Sequence, residues 1–357
     1  MVVRQTIKER ALRTLQHAAT TIGTVLALAC VASRPALAQS AWHVERTIEV
    51  GGVGGMDYLT VAPQTHRLYV PRTTHTMVID STSGKTLGDI PGQTRAHGVA
   101  LVPRLNRGFI TDGGGNGAVV VFDLKTNAIL GTITAQPDAD GIIYDPGSDR
   151  ILVSAGDSNS LITFKPDIDP KSGKIEDPIQ LGGAPEFLAA DGAGKVYVNL
   201  ENKDNVAVVD LKSRKVIAHW PVAPGGTPVG LALDTQHHSL VIGCRKPQRI
   251  VVMSTESGKV IADLPIGAGV DAVKIDSSEY FASAGDGTLA VVGSSSPGKY
   301  ALVQTVKTPV GAKTMGIDNS THKIYLPTAD FEGAKAGANG RRVAKPGTFK
   351  IIVVSQK

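Results

Sequence analysis

Seven equivalent positions recur along this chain at intervals of 40 to 46 residues, each at the start of a short apolar run. Six of them are ionisable: four carboxylates, one imidazole and one ammonium. In chain order the positions are Asp57, His97, Asp140, Glu186, Val229, Asp271 and Lys313. A fold that gathers these side chains would create a site that attracts cations or polar ligands.

The residue types indicate what chemistry such a site supports. Carboxylates held together raise one another's pKa unless Lys313, His97 or a bound metal supplies positive charge. Oxygen ligands from Asp140, Glu186 and Asp271 would suit a divalent cation such as Ca²⁺ or Mg²⁺. His97, Glu186 and Lys313 are the candidates for acid-base catalysis. The same residues also fit a merely polar, water-filled channel mouth.

Loops between second and third apolar runs carry further candidates. Arg72, His75 and Arg245 are predicted to lie on the same face as the seven positions and to complete a ligand-binding set. A long loop, residues 329–348, contains Lys335, Arg341, Arg342 and Lys345. It is either a basic lid over the site or a solvated insertion.

The recurrence reflects a structural repeat. Residues 57–70 align without a gap with residues 97–110, and the same frame recurs five more times. Each copy contains four short apolar runs separated by turns, as in residues 186–191, 195–198, 205–210 and 215–220. Four strands per repeat are typical of a propeller blade. The sequence therefore predicts an all-β fold, a single seven-bladed β-propeller of four-stranded antiparallel blades.

The two ends of the chain predict how the ring closes. The last repeat stops after its third strand, at residues 349–355, whereas residues 42–50 resemble a fourth strand without a blade of its own. We expect the N-terminal strand to complete the seventh blade, which would also protect an otherwise open strand edge.

The repeats resemble a known family. Residues 67–70 (Arg-Leu-Tyr-Val), 195–198 (Lys-Val-Tyr-Val) and 323–326 (Lys-Ile-Tyr-Leu), each followed by a loop and a Val-Val-Asp-like strand, are similar to the YVTN repeats of exported YncE-like propellers. The resemblance covers residues 39–357 and implies the seven-bladed fold. It implies function weakly, because members of the family are associated with nucleic-acid binding, surface layers and other roles.

The first 38 residues have the features of a secretory signal. A basic start with Arg4, Lys8, Arg10 and Arg13 precedes an apolar run at residues 20–31 and small residues at 36–38. The run is too short for a membrane-spanning helix, so we predict cleavage after Ala38, with no transmembrane segment afterwards. Cys30 leaves a lipoprotein signal as an alternative. The expected location is periplasmic or secreted.

Removal of this segment changes the charge of the protein. The full chain has 37 basic and 32 acidic residues, of which 32 and 31 lie beyond residue 38. A mature chain this close to neutrality gives no general support for a phosphate-binding surface. Cys244 becomes the single thiol, so no internal disulfide can form.

Three functional hypotheses follow. The first is an exported binding protein that recognises a small polar ligand, a glycan or a protein partner. The second is a metal-assisted hydrolase, lactonase or lyase that uses the carboxylates and His97. The third is single-stranded nucleic-acid binding, which the scarcity of aromatic residues and the near-neutral charge disfavour.

Overall fold

The structure is a computed structural model that describes residues 42–296, 298–336 and 342–357. The predicted signal segment and Arg341 lie outside these residues. Two 3₁₀ turns, Pro63–Thr65 and Pro103–Leu105, are the helical elements of the described part. None of its helices has the length and hydropathy needed to cross a bilayer. All remaining regular structure is β-strand.

Seven four-stranded antiparallel blades are present, which confirms the predicted fold class. In each blade the first strand is innermost and the fourth is outermost. Blade one comprises Thr60–Ala62, Arg67–Pro71, Thr73–Asp80 and the first part of Thr86–Val102. Blade two comprises the end of Thr86–Val102, then Arg107–Asp112, Ala118–Asp123 and Ile129–Thr134. Blade three comprises Ala139–Asp145, Arg150–Ala155, Ser160–Phe164 and Ile179–Gln180.

The remaining blades follow the same order. Blade four comprises Pro185–Ala190, Lys195–Leu200, Asn205–Asp210 and Lys215–Pro221. Blade five comprises Pro228–Asp234, Ser239–Arg245, Gln248–Ser254 and Val260–Pro265. Blade six comprises Val270–Asp276, Glu279–Ala284, Thr288–Ser296 and Lys299–Lys307. Blade seven comprises Gly316–Asp318, Lys323–Thr328, Lys350–Gln356 and Trp42–Glu49.

Burial along each strand reflects its place in the blade. The middle strands are nearly continuous apolar runs because neighbouring blades cover both of their faces; Asn205–Asp210, for example, is buried at every interior position. The fourth strand Lys215–Pro221 instead alternates between exposed and half-buried residues, as expected at an edge facing water. The core is therefore a ring of seven apolar layers between blades.

Short turns with acidic starts join the third and fourth strands. The Asp210 carboxylate accepts a hydrogen bond from Ser213 N–H at 2.9 Å, and Asp123 accepts one from Thr126 N–H at 2.8 Å. Such side-chain caps satisfy backbone donors that the sheet leaves free. Because turns of this kind recur from blade to blade, the repeat can be recognised in the sequence.

The N-terminal strand closes the ring, as predicted. Trp42–Glu49 runs antiparallel to Lys350–Gln356, from Trp42 opposite Gln356 to Glu49 opposite Lys350. The Trp42 side chain is 3% exposed and packs edge-on against Phe281 of blade six. Its indole Nε1–H donates to Glu279 Oε2 at 2.7 Å. Trp42, the first described residue, therefore links blade seven to blade six through both contacts.

The long loop of the last blade contains a small sheet of its own. Phe331–Ala336 pairs with Arg342–Ala344. The backbone N–H of Gly347 donates to Gly52 O at 3.0 Å, which ties the end of the loop to the segment before Asp57. Whether the loop acts as a lid stays a prediction.

We predict that Trp42→Ala lowers the free energy of unfolding by about 3–5 kcal/mol, because it removes a large buried ring and the partner of Glu279. Trp42→Phe keeps the ring packing and should cost about 1–2 kcal/mol. Chemical denaturation followed by circular dichroism measures both. Ile217→Ala, on the exposed fourth strand of blade four, is the control and should be almost neutral. If Trp42→Ala leaves the free energy of unfolding unchanged, the stability of the ring does not depend on the contacts of Trp42 with blade six.

Candidate functional site

The seven equivalent positions lie at or just before the start of the first strands. His97, Asp140 and Glu186 fall within these strands, whereas Asp57 and Lys313 each precede theirs by three residues. Because the first strands surround the axis of the ring, their starting residues converge at one mouth of the central channel. We call this set of Asp57, His97, Asp140, Glu186, Val229, Asp271 and Lys313 the funnel.

A row of buried polar side chains on the second strands fixes the funnel backbone. Thr111 Oγ1 of blade two donates to Asp140 O of blade three at 2.6 Å. Asn199 Nδ2 of blade four donates to Val229 O of blade five at 2.9 Å. Ser283 of blade six donates in the same way to Lys313 O. Each bond crosses from one blade to the next, so it sets the spacing between neighbouring funnel residues.

His97 is the centre of one half of the funnel. Its side chain is 6% exposed, and Nδ1 donates to Asp57 Oδ2 at 2.7 Å while lying 3.4 Å from Asp140 Oδ1. Burial alone would lower the pKa of His97, but the hydrogen bond with Asp57 and the charges of Asp140 and Asp57 outweigh it and raise the pKa. Among the described residues, Nε2 has no hydrogen-bond partner.

Two carboxyl groups of the funnel, those of Asp140 and Glu186, have no lysine or arginine at ion-pair distance in the described part of the chain. Burial raises the pKa of Asp140 to about 7; His97 opposes this rise and Asp57 adds to it. Burial raises the pKa of Glu186 to about 9, with further contributions from Asp140 and Glu201, whereas the positive charge of Arg245 opposes this rise. We call Asp57, His97, Asp140 and Glu186 the acidic half of the funnel.

In the opposite half of the funnel, negatively and positively charged side chains alternate. Asp271, with a side chain only 5% exposed, forms ion pairs with both Arg245 and Lys313. Arg245 also reaches Glu201 of blade four at 3.8 Å. Asp271 therefore has both oxygens occupied by cationic side chains. We call Glu201, Arg245, Asp271 and Lys313 the paired half.

This pairing corrects the ion site expected from the sequence. Asp140, Glu186 and Asp271 do not form one group, because Asp271 is engaged by Arg245 and Lys313. Within the described residues, one trio of potential ligands has donor atoms within 4.8 Å of one another: Asp57, His97 and Asp140. That set contains an imidazole nitrogen, which favours a transition metal over Ca²⁺ or Mg²⁺.

Two residues expected to line the site have other contacts. Arg72 is 1% exposed and donates to the backbone oxygens of residues 51 and 53–55, while its guanidinium lies 3.7 Å from the centre of the Phe349 ring. It stabilises the glycine-rich segment before Asp57 and has no free donor face for a ligand. His75 Nε2 lies 3.9 Å from Asp89 of the outermost strand of blade one. Of the three predicted ligand-binding residues Arg72, His75 and Arg245, only Arg245 contacts a funnel side chain, through its ion pair with Asp271.

Sequence reasoning missed several residues of the site. Glu201 and Tyr58 lie near charged groups of the funnel, and the row of Thr111, Asn199 and Ser283 lies in the otherwise apolar interior of the second strands. A signal for that row existed: each residue is a polar interruption at the fifth position of its second strand. Glu201 gave no such signal, because its role depends on Arg245 from the next blade.

Comparison with known proteins supports the fold. No protein-family model matches the chain, and no curated protein sequence matches it. Among solved structures it is similar to hydrazine synthase of Kuenenia stuttgartiensis, with 14% identity, a TM-score of 0.66, and coverage of 77% of this chain and 92% of that one.

Two WD40-type structures are similar over a larger share. For the WD40 repeats of RRP9 the identity is 11% and the TM-score 0.71, with 87% of this chain and 97% of that chain covered. For U3-55K the identity is 12% and the TM-score 0.71, with 86% and 97% covered. At such low identity these likenesses show a shared β-propeller fold, a fold commonly used for binding.

Proposed function

We propose that the funnel binds a small polar ligand that carries a positively charged group. One observation carries the proposal: in the described residues, Asp140 and Glu186 have no lysine or arginine partner, whereas Asp271 across the funnel has two. An ammonium group placed between Asp140 and Glu186 would supply the missing charge. It would also lower the pKa of both carboxyl groups.

The paired half supplies a second point of attachment. The Lys313 side chain is 46% exposed, so its ammonium can donate to a ligand hydroxyl or carboxylate oxygen while it holds Asp271. A ligand with a positive group at one end and an oxygen acceptor at the other matches this distribution of charge. Two anchors of opposite polarity also fix the orientation of a ligand.

Such an ammonium group has more than one biological source. An amino sugar of a glycan, a free amine and a lysine side chain of a protein partner share this chemistry, and probes of each kind separate them. Single-stranded nucleic acid fits less well, because its phosphates would meet the acidic half. Binding that weakens steeply with added salt would instead favour nucleic acid.

A metal-assisted hydrolase, lactonase or lyase is the second candidate, and the trio of Asp57, His97 and Asp140 supports it. An ion bound there would act as a Lewis acid or activate water. It would have to replace the hydrogen bond between His97 and Asp57. The binding hypothesis needs no such rearrangement, so we place it first.

We also propose that the protein is exported and belongs among the YncE-like propellers. The basic start, apolar run and small residues of positions 1–38 support export. The repeat motifs at residues 67–70, 195–198 and 323–326 support the family, and the propeller fold is compatible with it.

A thermal-unfolding screen tests the ligand class, because a ligand that binds the folded state raises the unfolding midpoint. We expect ethanolamine or glucosamine to raise the midpoint, and their uncharged counterparts ethylene glycol and N-acetylglucosamine to have little effect. A lysine-containing peptide tests the protein-partner source. Mn²⁺, Zn²⁺, Ca²⁺ and Mg²⁺ test the second candidate.

The Asp140→Asn, Glu186→Gln double variant should abolish the shift. The variant itself should unfold at a higher temperature than the wild type at neutral pH, because it removes two carboxyl groups that are costly to ionise. Glu256→Gln, at an exposed turn, is the matched control. A shift with divalent metals alone would overturn the proposal and favour the hydrolase.

The proposal also predicts a pH dependence. A carboxyl group is charged above its pKa, and the pKa of Asp140 is raised to about 7. The affinity for ethanolamine, which stays protonated, should therefore rise between about pH 6 and about pH 8. Calorimetric titration should show a flatter profile for Asp140→Asn. An affinity that falls across this range would contradict the assignment.

Export has a direct test. The full chain should be expressed in a bacterium and recovered from the periplasm or medium with Gln39 as its N-terminal residue, measured by intact-mass spectrometry. Recovery from the cytoplasm with residues 1–38 still attached would show that this segment is not a cleaved signal.

A further inference from the structure

The central channel is divided below the funnel by two aromatic side chains. Tyr58 follows Asp57 in blade one, and Phe187 follows Glu186 in blade four. Their ring centres lie 4.9 Å apart, so two blades that are three places apart in the ring meet across the channel. The Tyr58 hydroxyl has its pKa raised well above the usual value, by burial and then by the funnel carboxylates. The aromatic pair therefore borders the funnel on its inner side.

A second compartment adjoins this pair. It is a cavity of about 310 Å³, which we call the chamber, and it extends along the first strands toward the face opposite the funnel. Most of its lining residues are apolar, including the half-buried Val61, Leu101 and Ile143, and polar atoms also contribute a large part of the lining surface. This volume is at the lower end of the range for small-molecule sites. The chamber can accommodate a compact organic molecule.

Lys274 of blade six is the charged residue in the chamber lining. Its ammonium lies 5.0 Å from the centre of the Phe187 ring, a cation–π contact. Among the described residues no carboxylate pairs with it and no acceptor oxygen receives its protons. Burial lowers its pKa to about 8, and no carboxylate offsets that effect. Lys274 is half-buried in the chamber lining, and a partly desolvated cation without a counter-charge attracts an anionic ligand.

We propose that the chamber binds a small organic monocarboxylate, whose carboxylate pairs with Lys274 and whose apolar body contacts the aliphatic walls. One ammonium supplies the charge for one carboxylate. A phosphate carries more negative charge than the single ammonium of Lys274 would neutralise, and a neutral apolar ligand would leave Lys274 unpaired. The site is distinct from the funnel, so it stands whether or not the funnel binds a cationic ligand.

Calorimetric titration of the exported chain with hexanoate tests the assignment. We expect saturable binding of hexanoate, and at least about tenfold weaker binding of hexanamide, which has the same shape without the charge. Hexylamine should not bind, because it brings a second cation to Lys274. Inorganic phosphate separates a general anion site from a carboxylate site, and it should not compete with hexanoate.

Lys274→Met removes the charge and keeps the length of the side chain. It should weaken hexanoate binding at least about tenfold and should raise the thermal unfolding midpoint, since an unpaired, partly desolvated cation is lost. Lys307→Met, on the exposed edge strand of the same blade, is the matched control and should change neither quantity.

The proposal is overturned if hexanoate fails to bind the wild type, if hexanamide binds equally well, or if Lys274→Met retains full affinity. The comparison of hexanoate with hexanamide uses the unmodified protein, so it decides the question even if the variant misfolds. The Asp140→Asn, Glu186→Gln double variant should bind hexanoate normally, which separates this site from the funnel.

Discussion

Contact between successive blades is the constraint on which this structure depends. A single blade exposes two apolar faces and can bury them only against neighbours, so the ring gains its full burial only when it closes. The pairing of Trp42–Glu49 with Lys350–Gln356 completes that closure with the two ends of the described chain. Apolar packing alone does not fix how one blade is aligned with the next. Hydrogen bonds from Thr111, Asn199 and Ser283 to backbone oxygens of the next blade supply this alignment.

Closure has an electrostatic consequence. Seven first strands around one axis bring their starting residues together whether or not the charges are compatible. The two halves differ in this respect: Arg245 and Lys313 neutralise Asp271 in the paired half, whereas in the acidic half the His97 imidazole lies between Asp57 and Asp140. Had every carboxylate been paired, the funnel would be a structural ion network. The proposal that the acidic half binds an external cation rests on this uneven distribution.

The fold was predictable from the sequence to a large extent, and the site less so. The repeat, the blade count and the N-terminal closure follow from short-range patterns of apolar runs and turns, and the structure confirms them. The roles of Arg72, Glu201 and Asp271 depend on which side chain a neighbouring blade presents, and a repeat of about 43 residues does not specify that. Arg72 shows this most clearly: its position in the loop was identified, but its guanidinium turns inward to the carbonyl oxygens of residues 51 and 53–55.

The two compartments of the channel differ in charge. The rings of Tyr58 and Phe187 lie 4.9 Å apart between the funnel and the chamber. Burial lowers the pKa of Lys274, and no carboxylate of the described residues pairs with its ammonium. The funnel and the chamber therefore present opposite charges within a single channel. Under the two proposals, this channel would bind two ligands of opposite charge at separate places.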